Sequence, residues 1–153
     1  MLMYITILAG GTGSRLWPVS TQQYPKQFVR LLGDKTLIQH TAERFLGIAD
    51  SAQICISTNT TYASLVSEQL GSYGIRHIVT EPAKRNTMGA ILLMIKYLED
   101  IEKVASDELL LIAPSDHYIH PVDRFTAYIQ QGAKIAQLGK IVLFGVMPDK
   151  PET

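Results

Sequence analysis

The chain has 153 residues, of which 46% are hydrophobic and 18% charged, and this composition is typical of an ordered globular protein with one buried core. Its 14 basic and 14 acidic residues give no formal net charge, which argues against a nucleic-acid partner, because such a partner requires a basic excess. The single cysteine, Cys55, excludes an internal disulfide and lies in an apolar run typical of a buried strand. The apolar residues 1–8 are too few to span a membrane and carry no basic leader, so we expect no membrane partner and a cytoplasmic location.

Segments typical of strands and helices alternate along the chain. Five segments rich in β-branched and aliphatic residues are predicted as strands, namely 3–8, 53–57, 76–80, 108–113 and 140–146. Four segments with helical spacing of apolar residues are predicted as helices, namely 37–48, 61–70, 87–101 and 124–138. The runs 109–112 and 141–144 are continuously apolar, as in strands buried on both faces. The alternation predicts an α/β fold, with a Rossmann-like, mostly parallel sheet flanked by helices, in a single domain over residues 1–153.

A glycine-rich loop follows the first predicted strand. Residues 8–18 read LAGGTGSRLWP, and three glycines in four positions let backbone amides approach an anion closely. The loop lacks the Gly-Lys-Ser/Thr ending of a P-loop, and Leu16 stands where the dinucleotide fingerprint needs a glycine. A turn without chemical function is the alternative interpretation. The predicted nucleotide-phosphate ligands are Ala9, Gly10, Gly11, Thr12, Gly13, Ser14 and Arg15.

The pattern continues beyond the loop. Residues 24–28 read YPKQF, which places Lys26 between a proline and residues typical of a protein interior. The arrangement Gly-Gly-x-Gly-x-Arg-Leu-x-Pro followed by Pro-Lys-Gln resembles the signature of the nucleoside-diphosphate-sugar pyrophosphorylases. Trp17 and the 24–28 string resemble the mannose-1-phosphate guanylyltransferase (GDP-mannose pyrophosphorylase) branch in particular. A lone lysine is usually a solvated surface charge, but in this pattern Lys26 is interpreted as a second phosphate ligand.

A second motif follows the third predicted strand. Residues 81–87 read EPAKRNT and resemble the Glu-Pro-x-x-Arg-Asn-Thr motif of that branch, which faces the nucleotide base. Guanine presents two neighbouring donors, N1–H and N2–H, and a carboxylate accepts both, whereas a reader of uracil or thymine would favour an amide. We therefore expect Glu81 to read guanine, and the resemblance adds Arg85 and Asn86 to the nucleotide site. The alternative is a simple strand-to-helix turn, with Asn86 or Thr87 as the N-cap.

A third motif follows the fourth predicted strand. Residues 113–119 read APSDHYI, and an aspartate just past the end of a buried parallel strand is placed to meet a ligand. The segment resembles the Pro-Ser-Asp-His motif of the family, whose aspartate coordinates Mg²⁺, so Asp116 is the predicted metal ligand and Ser115 a predicted nucleotide ligand. A turn aspartate is the alternative. His117 and His120 are interpreted as structural, because the histidines and the single cysteine give no zinc-binding spacing.

The resemblance implies a nucleotidyltransferase activity. GMP would be transferred from GTP to mannose 1-phosphate, with pyrophosphate leaving, no covalent enzyme intermediate, and Mg²⁺ as cofactor. Arg15 would bind the triphosphate, Lys26 the α-phosphoryl region, and Asp116 the metal. Family members continue after Pro-Glu-Thr with sugar-binding strands, so we expect a fragment whose sugar-binding half is absent, with weak nucleotide binding and little turnover.

Two alternatives stay open at this point. One is another pyrophosphorylase of the same kind, with a different nucleotide or sugar. The other is a non-catalytic nucleotide-binding module. Loss of the later strands would leave an open sheet edge and exposed apolar surface, which favours self-association, and a homodimer is one form it could take.

Overall fold

A computed structural model of the chain describes residues 2–11, 16–83 and 86–147. Its centre is a sheet of four strands, and neighbouring strands are parallel throughout. The strands are β1 (Met3–Leu8), β2 (Ile54–Asn59), β3 (His77–Glu81) and β4 (Leu109–Pro114). They lie in the order β3-β2-β1-β4. The first four predicted strands and the parallel α/β fold are therefore confirmed.

A helix follows each of the four strands. They are α1 (Leu37–Leu46), α2 (Ala63–Leu70), α3 (Asn86–Asp100) and α4 (Val122–Ala136), and all four were expected from apolar spacing. The predicted helix 61–70 is divided, because a short 3-10 turn, Thr60–Tyr62, precedes α2. The side chain of Asn59 accepts the backbone N–H of Tyr62 at 3.1 Å, which stabilises this turn at the end of β2.

The core lies on the two central strands. Ile5 and Ile7 of β1 and Ile54 and Ile56 of β2 are fully buried, as β-branched side chains on a covered parallel sheet should be. Cys55 is buried beside them, as its apolar neighbours predicted. The expectation that run 109–112 is buried on both faces is wrong, since these residues are only half-buried. The strand order explains the difference, because it places β4 at an edge of the sheet.

The fifth predicted strand is not observed. Residues 141–147 belong to no strand, and alternate side chains such as Ile141 and Leu143 are 94% and 89% exposed. Phe144 instead lies against α4, where a Cβ added at Gly132 would come within 2.6 Å of its ring. An apolar segment forms a strand only beside a hydrogen-bonded neighbour, and here the contact of Phe144 with α4 is made instead, while most of the other apolar side chains stay exposed.

The chain divides into two compact units, Met1–Ile119 and His120–Thr153. The first contains the whole sheet with α1 to α3, and the second contains α4. The single domain predicted over residues 1–153 stays a prediction. Among the described residues, none of the helices has the length and apolar character needed to cross a bilayer.

Candidate functional site

The order of the strands reverses between β1 and β4. From β1 the chain adds β2 and then β3 on one side, and it crosses to the other side to add β4. In open α/β sheets, ligands bind outside the carboxyl ends of the strands at such a switch point. The loop after β1 begins at Ala9, and the loop after β4 contains Ser115 and Asp116. The structure therefore brings two of the three predicted motifs to the place where this fold binds ligands.

The start of the glycine loop is held from two directions. Ala9 is buried, and its N–H donates to the Ser57 carbonyl at 2.7 Å. The Ala9 carbonyl accepts from Thr58 Oγ1 and from Gln27 Nε2, each at 3.1 Å. Gln27 Nε2 also donates to the Gly11 carbonyl at 2.9 Å. Gln27 was not among the predicted site residues, and its place inside the 24–28 string was the one sequence signal that could have identified it.

Lys26 and Asp116 form an ion pair at the switch point. Lys26 Nζ lies 2.5 Å from Asp116 Oδ2, and the two side chains are 34% and 23% exposed. Lys26 opens a 3-10 turn, Lys26–Phe28, in which the N–H of Phe28 donates to the Pro25 carbonyl at 2.9 Å. The predicted phosphate ligand and the predicted metal ligand are thus in direct contact, although 90 positions separate them in the chain.

The loop after β4 is anchored to both β1 and α1. The N–H of Ser115 donates to the Leu8 carbonyl at 3.1 Å, and the Ser115 carbonyl accepts from Thr41 Oγ1 at 3.3 Å. Arg44 Nη1 donates to the His117 carbonyl at 3.2 Å. Burial lowers the pKa of Arg44, but a guanidinium stays charged at neutral pH. The backbone on both sides of the intervening aspartate is therefore fixed.

Glu81 reaches from the end of β3 toward the glycine loop. Ser57 Oγ, on β2, donates to Glu81 Oε1 at 3.0 Å. A Cβ added to Gly10 would lie 3.1 Å from the same carboxylate oxygen. The structure thus brings the predicted base reader against the predicted phosphate loop, and Ser57 holds it there.

The other predicted ligands are distributed as follows. Asn86 is exposed at the start of α3 and has a φ of 56°, in the left-handed region that asparagine tolerates. The predictions for Thr12, Gly13, Ser14, Arg15 and Arg85 lie outside the described residues and stay predictions.

The donor set around Asp116 suits only some metals. Across the described ranges, no group of three or more His, Cys, Asp or Glu side chains could hold an ion. Structural zinc or calcium sites need more protein ligands than this. Mg²⁺ is commonly bound through one or two carboxylates together with substrate phosphates and water, so a lone Asp116 fits an ion that arrives with a nucleotide.

A recess of about 300 Å³ lies elsewhere in the first unit. Its lining residues are Ser51, Ala52, Gly74, Arg76 and His77. These residues precede or open β2 and β3, so the recess lies at the amino ends of the strands. It contains none of the predicted ligands and is separate from the switch-point site.

The parallel sheet and the charged pair at its switch point define an α/β fold of the kind that binds ligands at the carboxyl ends of its strands. Residues 5–153 match the protein-family model described as "Nucleotidyl transferase", and the chain belongs to this family.

Relatives within the family agree with the branch suggested by the sequence. The chain is 40% identical over 153 residues to the mannose-1-phosphate guanylyltransferase of Escherichia coli (strain K12), covering 99% of this chain and 32% of that protein. It is 40% identical over 155 residues to the alginate biosynthesis protein AlgA of Pseudomonas aeruginosa, covering 99% and 31%. The chain thus spans about a third of the length of these curated relatives.

A solved structure resembles the fold closely. The crystal structure described as mannose-1-phosphate geranyltransferase from Thermus thermophilus superposes with a TM-score of 0.79 at 27% identity, covering 91% of this chain and 39% of that one. The resemblance to this branch predicted from the three motifs is confirmed.

Proposed function

We propose that this protein transfers GMP from GTP to mannose 1-phosphate, with Mg²⁺, and releases GDP-mannose and pyrophosphate. The residues of this chain would supply the nucleotide side of the reaction. The observation that carries the proposal is the contact of Lys26 with Asp116 at the switch point of the sheet. The names of the curated relatives support the choice of nucleotide and sugar.

The chemistry requires positioning and charge neutralisation. An oxygen of the sugar phosphate attacks the α-phosphorus of GTP, a new P–O bond forms, and the bond between the α-phosphorus and the bridging oxygen of pyrophosphate breaks. Negative charge is redistributed over the oxygens of the α-phosphoryl group and the leaving pyrophosphate, and a fixed ammonium at the α-phosphoryl group, such as that of Lys26, stabilises the charge there. Mg²⁺, held by Asp116, would add positive charge at the phosphate oxygens. Lys26 contacts Oδ2, whereas the nearest basic group to Oδ1 is His117 Nε2 at 3.9 Å, beyond hydrogen-bond distance, so Oδ1 would be the oxygen that holds the cation.

Guanine selection is assigned to Glu81. A carboxylate can accept from N1–H and N2–H of guanine together. The Ser57 hydroxyl bonds Oε1 and fixes the carboxylate at the end of β3. From β3 to β4 there are three strand spacings, about 14 Å in all, which leaves room for a nucleoside between the base reader and the Lys26–Asp116 pair.

Calorimetric titration of the chain with GTP and with UTP, each with Mg²⁺, tests the nucleotide part of the proposal. We expect GTP to bind at least about tenfold more tightly than UTP, because UTP leaves the Glu81 carboxylate without a second donor. Equal affinities would refute the assignment of guanine to Glu81. Failure to bind either nucleotide would refute nucleotide binding by these residues.

Product formation tests the transfer itself. GTP and Mg²⁺ are incubated with mannose 1-phosphate and, as the matched control, glucose 1-phosphate, and both GDP-sugar and pyrophosphate are measured. GDP-mannose released together with equal pyrophosphate supports the proposal. Selective GTP binding without any GDP-sugar, even after the expected sugar-binding half is added as a separate chain, would favour the second function considered from the sequence, a nucleotide-binding module.

A further inference from the structure

Gln27 is a buried amide bonded to two carbonyls of the glycine loop. Its side chain is 2% exposed, and Nε2 donates to the Ala9 carbonyl at 3.1 Å and to the Gly11 carbonyl at 2.9 Å. A glutamine amide nitrogen carries two hydrogens, so these bonds use both of them. A carbonyl oxygen that faces a phosphate repels it. By binding both carbonyls, Gln27 fixes the direction in which their oxygens point, toward its own amide nitrogen.

The same residue is fixed to the turn that carries Lys26. Gln27 is the middle residue of the 3-10 turn, and its other neighbour, Phe28, is 1% exposed and packs against Tyr62 with ring centroids 5.9 Å apart. The turn therefore cannot shift without disturbing the core. Because Gln27 bonds the loop while Lys26 bonds Asp116, this single turn sets the distance between the glycine loop and the ammonium group.

We propose that Gln27 is a positioning residue. It orients the backbone at Ala9 and Gly11, at the start of the glycine loop, and it holds Lys26 in a fixed place relative to this backbone. The role in catalysis rests on the proposed nucleotidyl transfer, whereas the effect on the loop backbone does not. Thr58 also donates to the Ala9 carbonyl, so the carbonyl of Gly11 is the one that depends more on Gln27.

Two substitutions separate positioning from simple filling of the core. Gln27→Met keeps the approximate size of the side chain and removes both donors. Gln27→Glu keeps the shape and replaces the amide nitrogen with an oxygen, which at neutral pH only accepts. Gln53→Met is the matched control, because Gln53 Nε2 donates to the Met3 carbonyl at 3.3 Å, at the other end of β1.

The first measurement needs no nucleotide. Hydrogen exchange of the buried Ala9 amide, which donates to the Ser57 carbonyl at 2.7 Å, is followed by NMR, with amides of β2 as the reference for global stability. We expect Gln27→Met and Gln27→Glu to raise exchange at Ala9 by about tenfold relative to β2, since the carbonyl of the same residue loses its buried bond to Gln27. Gln53→Met should leave the exchange rate at Ala9 unchanged. Unchanged exchange in both Gln27 variants would overturn the inference.

The second measurement uses GTP affinity as a function of pH. Gln27→Glu should bind GTP about tenfold more weakly at about pH 8. Burial at this position should raise the pKa of the new carboxyl, so its protonation by about pH 6 should restore one donor and part of the affinity. Gln27→Met should show no such recovery. Lys26, Asp116, Glu81 and His117 are common to all variants, so dividing each profile by that of the unsubstituted protein leaves the contribution of position 27 alone.

The outcomes distinguish the two proposals. Recovery of Gln27→Glu alone supports positioning, whereas parallel profiles for the two variants would overturn it, since a residue that only fills space gives no pH-dependent rescue. If the unsubstituted protein binds no GTP, the proposed function fails, and the exchange rate at Ala9 then decides the role of Gln27.

Discussion

The carboxylate of Glu81 lies against the Cα of Gly10, so that a Cβ at Gly10 would stand 3.1 Å from Glu81 Oε1. Glu81 ends β3, whereas Gly10 follows β1, two strands away in the sheet. The contact joins the predicted base-reading side of the site to the predicted phosphate-binding side. A substitution at Gly10 should therefore alter the recognition of the nucleotide base by Glu81.

Gly10→Ala should reduce nucleotide selectivity more than stability. The added methyl requires Glu81 to retreat by a few tenths of an ångström, and a carboxylate at the end of a side chain can do so at a cost below about 1 kcal/mol in unfolding free energy. We expect the preference for GTP over UTP to fall about threefold, measured by calorimetry, because the acceptor moves. Gly71→Ala is the control, since nothing lies within 4 Å of its Cβ position and its φ is −58°. A stability loss in Gly10→Ala without any change in selectivity would contradict this interpretation.

Glu81→Gln should weaken GTP binding by about tenfold or more and leave UTP binding nearly unchanged, because an amide places a donor opposite a donor of guanine. Ser57→Ala should give a smaller loss in the same direction, since Ser57 only orients the carboxylate. Glu68→Gln, on the exposed face of α2, is the matched control for loss of one negative charge. Competition titrations with both nucleotides measure the effect, and an unaltered ratio in Glu81→Gln would show that the carboxylate does not read the base.

Asp116→Asn should affect binding differently with and without Mg²⁺. With Mg²⁺, we expect GTP affinity to fall by about tenfold, because a carboxylate ligand of the ion is lost. Without Mg²⁺, affinity should stay equal or rise, because Lys26 loses its 2.5 Å partner and is free to bind phosphate. Unfolding free energy should change by less than about 1 kcal/mol, as for other partly exposed ion pairs.

Asp107→Asn, at an exposed position before β4, controls for the change in net charge. Titration of both variants with GTP, in Mg²⁺ and in chelator, gives the comparison. Equal losses in the two conditions would mean that Asp116 acts on the nucleotide without a metal.

Much of the fold could be predicted from the sequence because it depends on local pattern. The first strand, Met3–Leu8, was predicted with its observed bounds, and alternation of strands with helices was enough to infer a parallel sheet. The pattern failed at 140–146, where Phe144 contacts α4 while Ile141 and Leu143 stay almost fully exposed. Composition identifies a segment that favours burial, but it does not supply the neighbouring strand that a sheet requires.

The site could be predicted in its parts but not in its contacts. Lys26, Glu81 and Asp116 each belong to a motif that sequence alone identified. The pairing of Lys26 with Asp116 and the approach of Glu81 to Gly10 depend on the strand order, which no local pattern contains. Gln27 was missed for a related reason, since an amide in a sequence does not reveal which buried carbonyls it will bind.

The stability of the first unit should decrease at alkaline pH through a cluster away from the site. Tyr97 OH donates to Glu102 Oε1 at 2.6 Å and lies 3.1 Å from His77 Nδ1. Burial, followed by the hydrogen bond to Glu102, raises the pKa of Tyr97 from 10.0 to about 12. Burial, with a smaller effect of the Glu102 charge, raises the pKa of Cys55 from 9.0 to about 12.

Both groups are neutral when protonated, and both hold their protons more tightly in the folded chain than in the unfolded one. The unfolded chain therefore loses these protons first, so the free energy of unfolding should be constant below about pH 9 and fall as pH rises toward about 12.

Tyr97→Phe should lower the free energy of unfolding at neutral pH by about 1–2 kcal/mol, through loss of the hydrogen bond to Glu102, and should make the alkaline decline shallower. Tyr128→Phe, whose side chain is 60% exposed, should alter neither quantity. Urea unfolding at several pH values between 7 and about 11.5 measures both effects. An alkaline slope that Tyr97→Phe leaves unchanged would show that this hydroxyl keeps its ordinary pKa in the folded protein.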